Sequence, residues 1–241
     1  MSNIEVHFND NNIDVYIDDT YMGNIVYSIN PYHNGHFYLN LQLQQYDTGV
    51  AKELFDLISK KLDKPLQIML SSEEKDTISF IQKAGFNCKR KCYEVEAGKQ
   101  DYIGDSVEGE LWYSFVGEES YEQCCKLMLN RYILTHRNIN PWTGTKEEFF
   151  SELPECVVCL CMDGKIACFA FVEDDEIAYV YGENVQFFHK FAQVLVTELF
   201  QKYEVITFEA DDCDEIAMKL KSMFINQSEE SFDTYMRNSK E

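Results

Sequence analysis

The segment from Leu41 to Ile58, LQLQQYDTGVAKELFDLI, combines residue types that suit an anion-binding turn. Apolar and polar residues alternate before Gly49, as in a strand, and apolar residues recur at helical spacing after it. Glycine lets the backbone approach a ligand closely, and the first N–H groups of a helix have no partners within the helix. The segment therefore predicts a strand, a turn and a helix N-terminus able to bind a phosphate group.

Asp47 gives the same turn a second interpretation. An Asp just before a helix is a favoured N-cap, and its carboxylate can take the donors that a phosphate would use. Thr48 can cap the helix instead and leave those donors available. The residues alone therefore leave two alternatives open, a phosphate site or a capped turn that binds nothing.

Groups able to transfer protons occur near the ends of predicted strands and helices. Tyr38 and Glu74 are the catalytic candidates in the N-terminal half, and Tyr179 and Glu183 are those in the C-terminal half. A tyrosine can donate a proton and a carboxylate can accept one, as general acid–base catalysis requires. The alternative is that each is a solvated surface residue.

No metal site is predicted. The segment CVVCLC (Cys156, Cys159, Cys161) contains zinc ligands, but it lies in an apolar strand-like run without a second pair. The acidic segment Glu209–Glu215 lacks the ligand spacing and glycine of an EF-hand, and it is typical of helix capping. The segment HNGH indicates a turn. The nine cysteines, an odd number, are expected to be reduced thiols.

The charge narrows the class of partner. The chain has 241 residues, with 42 Asp and Glu against 21 Lys and Arg, and a net charge of -21. Such a field repels phosphate, which argues against nucleic-acid and anionic-membrane partners, and it attracts a small amine or a basic peptide. The alternative is that the carboxylates only keep the protein soluble. The absence of a long apolar run and of a signal-like N-terminus predicts a cytoplasmic protein without a membrane span.

The elements that must position these residues form two series of strands and helices, which predicts an α/β (α+β) fold. Residues 1–97 form a first repeat, residues 98–108 a polar, glycine-containing linker, and residues 109–241 a second repeat. Tyr38 corresponds to Ile177 (177 − 38 = 139) and Lys83 to Lys221 (221 − 83 = 138), and this near-constant offset favours duplication over chance agreement.

The two repeats differ in the predicted burial of their sheets. In HFYLNLQLQ apolar residues alternate with polar ones, so the first sheet has one apolar face. The polar face of this sheet can contact solvent, the second repeat, or a second copy of the chain in a homodimer. In the second repeat IACFAFV is apolar throughout, which predicts a sheet covered on both sides, with helical segments between Ser120 and Leu153 supplying the extra layer.

The order strand, glycine-containing turn, helix, strand, helix, KAGF and final strand resembles the GNAT superfamily of N-acetyltransferases. The resemblance covers nearly the whole chain as a tandem arrangement, with a first repeat that lacks the family's first two helices. It implies two mixed β-sheet units with flanking helices and transfer of an acetyl group from acetyl-CoA to an amine. In the family, backbone N–H groups of the turn after the fourth strand, Q/R-x-x-G-x-G/A, hold the pyrophosphate.

Carried over by residue, Gln44 matches the first position of that motif and Gly49 its second glycine, while Asp47 stands in place of the first. The cofactor-binding residues implied are Leu43, Gln44, Gln45, Thr48, Gly49, Val50 and Ala51. In the second repeat Phe188 stands near the position of Gly49, which predicts too little room for a pyrophosphate.

Two further comparisons with the family concern catalytic activity. The tyrosine that usually protonates the departing thiolate is replaced by Ile81 in the first repeat and by Lys219 in the second. The loop LTHRNINPW, with His136, Arg137 and Trp142, stands where the family shapes its acceptor pocket, although a core tryptophan and a helix-end cation are the alternative. The resemblance therefore implies either an acetyltransferase or a catalytically inactive binding or scaffold protein.

Overall fold

The computed structural model describes residues 3–238 and has a mixed α/β architecture, as the sequence predicts. The strands are β1 (Ile4–Asn9), β2 (Asn12–Ile17), β3 (Thr20–Asn30), β4 (His33–Leu43), β5 (Leu66–Ser71), β6 (Asn87–Gly98), β7 (Trp112–Phe115), β8 (Cys156–Met162), β9 (Lys165–Glu173), β10 (Glu176–Gly182), β11 (Val205–Asp211) and β12 (Phe232–Arg237). The helices are α1 (Ala51–Lys61), α2 (Lys75–Lys83), α3 (Glu119–His136), α4 (Lys146–Ser151), α5 (Val185–Lys202) and α6 (Glu215–Lys221). No helix in the described range is long and apolar enough to cross a membrane.

The described chain folds into two compact units that are not continuous in sequence. Unit 1 comprises residues 3–91, 138–143 and 230–238, and unit 2 comprises residues 92–137 and 144–229. The predicted linker, residues 98–108, hydrogen-bonds within unit 2, where the Ile103 N–H donates to the Met223 carbonyl at 3.0 Å. The predicted boundaries at residues 97 and 109 stay a prediction about sequence repeats, since the compact units follow packing rather than chain order.

The sheet of unit 1 has the strand order β1-β2-β3-β4-β5-β12. Its first four strands form an antiparallel meander, β5 runs parallel to β4, and β12 is antiparallel to β5. The parallel step is possible because α1 carries the chain from the end of β4 back to the start of β5. The strand β12 comes from the far end of the chain.

The helix α1 packs one face against this sheet. Its buried residues Ala51, Leu54, Phe55 and Ile58 follow the i, i+3, i+4, i+7 spacing of an amphipathic helix. Phe55 contacts Phe80 of α2, with 5.9 Å between ring centroids. The apolar side chains of β4 face this core, as their alternation predicts.

Part of the polar face of the same sheet is covered by residues 138–143. Trp142 stacks on Tyr32 with 4.7 Å between ring centroids, and the Thr143 N–H donates to the Tyr32 carbonyl at 2.7 Å. Gln67, which points away from the apolar core, is fully buried, and Asn140 is 7% exposed. Trp142 is therefore a packing residue of unit 1.

The sheet of unit 2 has the strand order β6-β11-β10-β9-β8-β7, in which β6 takes part from Cys92 onward. Read from β7, the directions are three antiparallel steps, a parallel step from β10 to β11 and an antiparallel step to β6. Read from β1, unit 1 has the same succession. The helix α5 provides the crossover between the two parallel strands.

Both faces of β9 are covered, which confirms the prediction of a two-sided sheet. Cys168 and Ala170 belong to the core formed with α5, while Phe171 on the opposite face contacts Tyr121 of α3 at 5.7 Å between ring centroids. The central residues of β9, from Ala167 to Val172, are all buried. The helices between residues 119 and 151 thus include the extra layer that the sequence predicts.

Candidate functional site

The turn between β4 and α1 in unit 1 has the backbone of the predicted anion site. The helix begins at Ala51, and its N-cap residue Val50 makes no side-chain cap hydrogen bond. The Val50 N–H donates to the Asp47 carbonyl at 3.2 Å, which closes the turn. Donors in the first turn of an uncapped helix carry a partial positive charge and suit an anion.

Asp47 takes part of this turn for itself. Its Oδ1 accepts a hydrogen bond from the Gly49 N–H at 2.8 Å, and the contact is exposed to solvent. The carboxylate therefore occupies the donor of the motif glycine but does not cap α1 by its side chain. In this turn one backbone donor is thus occupied and the helix end is uncapped, and the phosphate site stays a prediction.

The other predicted cofactor-binding residues divide by burial. Gln44, Gln45 and Thr48 are exposed on the surface of the turn. Val50 and Ala51 are buried, so only their backbone groups can face a ligand. Leu43 is partly buried and packs against the core of unit 1.

The ladder between β4 and β5 ends before β4 reaches this turn. The two parallel strands are paired at Phe37 with Leu66 and at Tyr38 with Gln67. Beyond Tyr38, β4 continues to Leu43 in register with β3. The edge of this last part of β4 thus presents backbone groups outside the β5 ladder, and such groups can hydrogen-bond an extended ligand.

Tyr38 lies at the end of this ladder, in a buried polar cluster that also includes Gln67, Asn140 and Arg90. Burial raises the pKa of Tyr38, and the neighbouring Asn140, Arg90 and Gln67 oppose this rise. The Tyr38 hydroxyl and both side-chain polar atoms of Gln67 make no hydrogen bond of ordinary geometry to a described residue. Buried polar atoms in this state favour a water or a ligand as partner. The sequence predicts Tyr38 but gives no signal for the other three.

Glu74 and Ile81 do not add to this cluster. The Glu74 carboxylate is on the surface at the start of α2, where it accepts from the Ser71 N–H at 3.3 Å. Ile81 is fully buried in the core of unit 1. The position at which the resemblance expects a tyrosine therefore holds a packing residue.

The corresponding turn of unit 2 is closed by a side chain. Asn184 caps α5, and its Oδ1 accepts from the Phe187 N–H at 2.9 Å. Phe188 is fully buried in the core. The Asn184 side chain thus occupies a donor of this turn, and Phe188 lies against Gly182, where an added Cβ would be 2.8 Å from the Phe188 Cβ. That Phe188 leaves too little room for a pyrophosphate stays a prediction.

A cavity of about 80 Å³ lies in unit 2 where β10 and β11 separate. These strands are paired at Glu176 with Thr207 and at Ile177 with Phe208, and the register of β10 against β9 shifts after Ile177. The lining includes polar side chains from α3, β10, β11 and the turn before α6, namely Tyr132, His136, Tyr179, Glu209, Asp211 and Asp214. Burial, followed by the nearby carboxylates of Glu209 and others, raises the pKa of Tyr179.

Two predicted residues, His136 and Tyr179, meet in this cavity, whereas Glu183 and Arg137 are not among its lining residues. The Glu183 N–H donates to the Ala167 carbonyl at 2.9 Å. The sequence gives no signal for Arg131, whose Nε donates to the Asp214 Oδ2 at 2.9 Å. Asp214 in turn caps α6, as predicted for the acidic segment.

The cysteines lie both in the interior and on the surface of the fold. All nine are free thiols, and Cys159 of CVVCLC is buried with its Sγ 3.4 Å from the Sγ of Cys124. This contact gives Cys159 a packing role, as the sequence favours. Burial raises the pKa of Cys168 to about 12 and that of Cys125 to about 11.

Comparison with solved structures identifies the class of fold. A GCN5-related N-acetyltransferase from Sphaerobacter thermophilus matches 98% of this chain and 82% of its own, at 8% identity and a TM-score of 0.58. A tandem GNAT protein from the clavulanic acid biosynthesis pathway matches 95% and 83%, at 7% identity and a TM-score of 0.50. A conserved protein of unknown function from Enterococcus faecalis matches 95% of this chain and 62% of its own, at 10% identity and a TM-score of 0.52.

No protein-family model and no curated protein matches the sequence. The chain therefore has a fold similar to that of GNAT N-acetyltransferases, as the resemblance predicts. At this level of identity the similarity is one of fold, and function has to be argued from the sites.

Proposed function

We propose that the protein is a cytoplasmic tandem GNAT-like enzyme that transfers an acetyl group from acetyl-CoA to an amine. The cofactor binds in unit 1, with its pyrophosphate at the turn Gln44–Ala51 and its thioester along the edge of β4 beyond Tyr38. The observation that carries the proposal is the end of the β4–β5 ladder at Tyr38, on the strand that leads through the turn to an uncapped helix N-terminus at Ala51. The fold of the solved relatives supports it.

The residues of unit 1 supply the groups that acetyl transfer needs. The amine attacks the thioester carbonyl, and the C–S bond breaks to give an amide and a thiolate. Backbone N–H groups on the edge of β4 beyond Tyr38 can hydrogen-bond the carbonyl oxygen as negative charge develops on it. Tyr38, whose pKa is raised by burial, holds a proton at neutral pH and donates it to the thiolate, and the proton that the amine releases to solvent restores the hydroxyl.

The acceptor is a small amine or a basic peptide. The net charge of -21 attracts a cation and repels a polyanion. Electrostatic attraction of this kind acts mainly on the rate of association, so the rate of capture of a cationic acceptor is expected to fall with added salt.

Isothermal titration calorimetry with acetyl-CoA tests the cofactor site. Gly49→Trp places a large side chain in the turn, where even a Cβ lies 3.1 Å from the Asp47 Oδ1, and is expected to abolish binding. Gly35→Trp, near the start of β4 where no atom lies within 4 Å of an added Cβ, is the control and is expected to bind as the wild type does. Absence of binding by the wild type, or equal binding by Gly49→Trp, would overturn the proposal.

A second candidate function is that of a catalytically inactive binding or scaffold protein. It is favoured by the contact between Asp47 and the Gly49 N–H and by Ile81 in the core at the tyrosine position. Thioester cleavage above background in the presence of a panel of amines excludes this candidate. Binding of acetyl-CoA without cleavage across the panel favours it over the enzyme.

A further inference from the structure

Three metal-binding side chains come together beside the cavity of unit 2. His136 is the last residue of α3, Asp211 is the last residue of β11, and Cys213 follows in the turn before α6. A ring nitrogen, a carboxylate oxygen and the Sγ of these residues all lie within 4.8 Å of one another. His136 and Asp211 are 75 positions apart in the sequence, so no local sequence motif indicates the cluster.

The His136 ring directs its Nε2 towards Asp211 and its Nδ1 towards two oxygen atoms of α3. The Nδ1 lies 2.9 Å from the Thr135 Oγ1 and 3.2 Å from the Tyr132 carbonyl oxygen, and with the proton on Nδ1 either oxygen accepts it and the Nε2 lone pair can bind a cation. The ring also stacks on Tyr132, with 4.0 Å between centroids and an interplanar angle of 5°. A histidine whose Nδ1–H donates to a backbone carbonyl is the usual arrangement for a metal ligand, since the hydrogen bond fixes the tautomer.

The spacing of the nitrogen and oxygen matches a small tetrahedral ion. His136 Nε2 lies 3.2 Å from Asp211 Oδ2. Two ligands bound at about 2.0 Å in tetrahedral geometry are about 3.3 Å apart. With the proton on Nδ1, Nε2 and the carboxylate oxygen are both acceptors, and a metal ion between the two atoms satisfies both. With the proton on Nε2, the ring donates a hydrogen bond to Asp211 instead, and this is the arrangement that competes with metal binding.

The ligand atoms of these three side chains indicate which metal ion they suit. Nitrogen, oxygen and thiolate ligands together suit Zn²⁺, whereas Mg²⁺ and Ca²⁺ prefer oxygen alone. Glu209, Asp211 and Asp214 add negative charge to the cavity, and the guanidinium of Arg131 is engaged by Asp214. We propose that His136, Asp211 and Cys213 bind Zn²⁺, with a water from the cavity as fourth ligand. Binding converts the Cys213 thiol to a thiolate and releases its proton to solvent.

The site is independent of acetyl-CoA binding in unit 1 and is tested without it. Co²⁺ replaces Zn²⁺ as a spectroscopic probe, since a bound thiolate gives a charge-transfer band and the d–d bands report coordination number. The titration uses Cys88→Ser/Cys161→Ser as background, because both of these cysteines are exposed and able to bind metal on their own. A non-thiol reductant keeps Cys213 reduced.

One equivalent of Co²⁺ is expected to give a thiolate band and four-coordinate d–d bands, which Zn²⁺ displaces. Adding Cys213→Ser is expected to remove the thiolate band, and His136→Gln to lower the affinity at least about tenfold. Cys156→Ser, a partly buried thiol outside the cluster, is the matched control and is expected to keep the band. The absence of a thiolate band in the background protein, or its persistence in Cys213→Ser, would overturn the site and establish His136 and Asp211 as an ion pair only.

Discussion

The Asp47 Oδ1 accepts a hydrogen bond from the N–H of Gly49, the residue that matches the second glycine of the phosphate motif, at 2.8 Å. This contact holds the negative charge of the Asp47 carboxylate beside the backbone donors of the turn. It leaves the first turn of α1 without a side-chain cap but adds a carboxylate beside it. A pyrophosphate bound there has to displace this carboxylate or tolerate its negative charge.

Asp47→Asn is therefore expected to bind acetyl-CoA more tightly than the wild type. The amide oxygen of Asn can accept the same hydrogen bond, while the repulsion between carboxylate and phosphate is removed. The gain is expected to be about 1 kcal/mol, a roughly fivefold lower Kd by calorimetry. Asp19→Asn, at an exposed turn in unit 1, changes the net charge equally and is expected to leave Kd nearly unchanged. An effect of the same size in both variants would show that only net charge matters.

Tyr38→Phe is expected to lower kcat without changing the Kd of acetyl-CoA. Its ring remains packed at the end of the β4–β5 pairing, but the proton donor is lost. Removal of a general acid costs about 10²-fold or more in rate, measured as thioester cleavage with an excess of amine. Tyr16→Phe in β2, whose ring contacts His7 and Tyr21, is the control. An unchanged kcat in Tyr38→Phe would assign proton donation to another group.

A feature of the fold can be predicted from the sequence when the residues that determine it lie close together along the chain. The helix α1 and the turn before it are local, and the periodicity of Leu54, Phe55 and Ile58 predicts both. The partnership of β12 with β5 is not local, because no pattern in either strand specifies the other. The strand β1 is encoded locally too, because Ile4, Val6 and Phe8 alternate with polar residues.

The residues of the candidate sites also differ in how far they can be predicted from the sequence. Tyr38 and Tyr179 are predicted because a tyrosine can transfer a proton, and both lie in the middle of their strands. Asn140, which joins Tyr38, lies in an irregular segment whose packing depends on Trp142 stacking on Tyr32. The Asn184 cap, by contrast, is encoded locally, because Asn directly before a helix is a favoured N-cap.

Gly23→Ala is expected to destabilise unit 1 strongly. Gly23 has φ +122, and a Cβ placed there lies 2.2 Å from the Gln42 carbonyl oxygen across the β3–β4 ladder. Strain and the lost strand pairing are expected to lower the free energy of unfolding by about 2 kcal/mol or more, measured by urea denaturation. Gly35→Ala is the matched control because no atom lies within 4 Å of its Cβ, and its effect is expected to stay within about 1 kcal/mol. Equal losses in the two variants would contradict this explanation.

The stabilisation by Asp56 on α1 is expected to be lost in acid. The pKa of Asp56 is lowered from 3.8 first by the hydrogen bond from Lys52, at 2.8 Å, and then by Arg237 of β12, although burial opposes the shift. A carboxyl with a lowered folded-state pKa contributes stability above its unfolded pKa and loses it as the pH falls through the folded value. The free energy of unfolding of the wild type is therefore expected to exceed that of Asp56→Asn at pH 7.

This difference is expected to persist down to a pH of about 5 and to shrink as the pH falls below 3.8, since the protonated carboxyl resembles the amide. Urea denaturation of both proteins at a series of pH values measures it. Glu53→Gln, which removes an exposed carboxylate from the first turn of the same helix, separates the effect of the Lys52 and Arg237 contacts from that of charge on α1. A difference between the wild type and Asp56→Asn that is independent of pH would contradict the assignment, because packing rather than charge would then account for it.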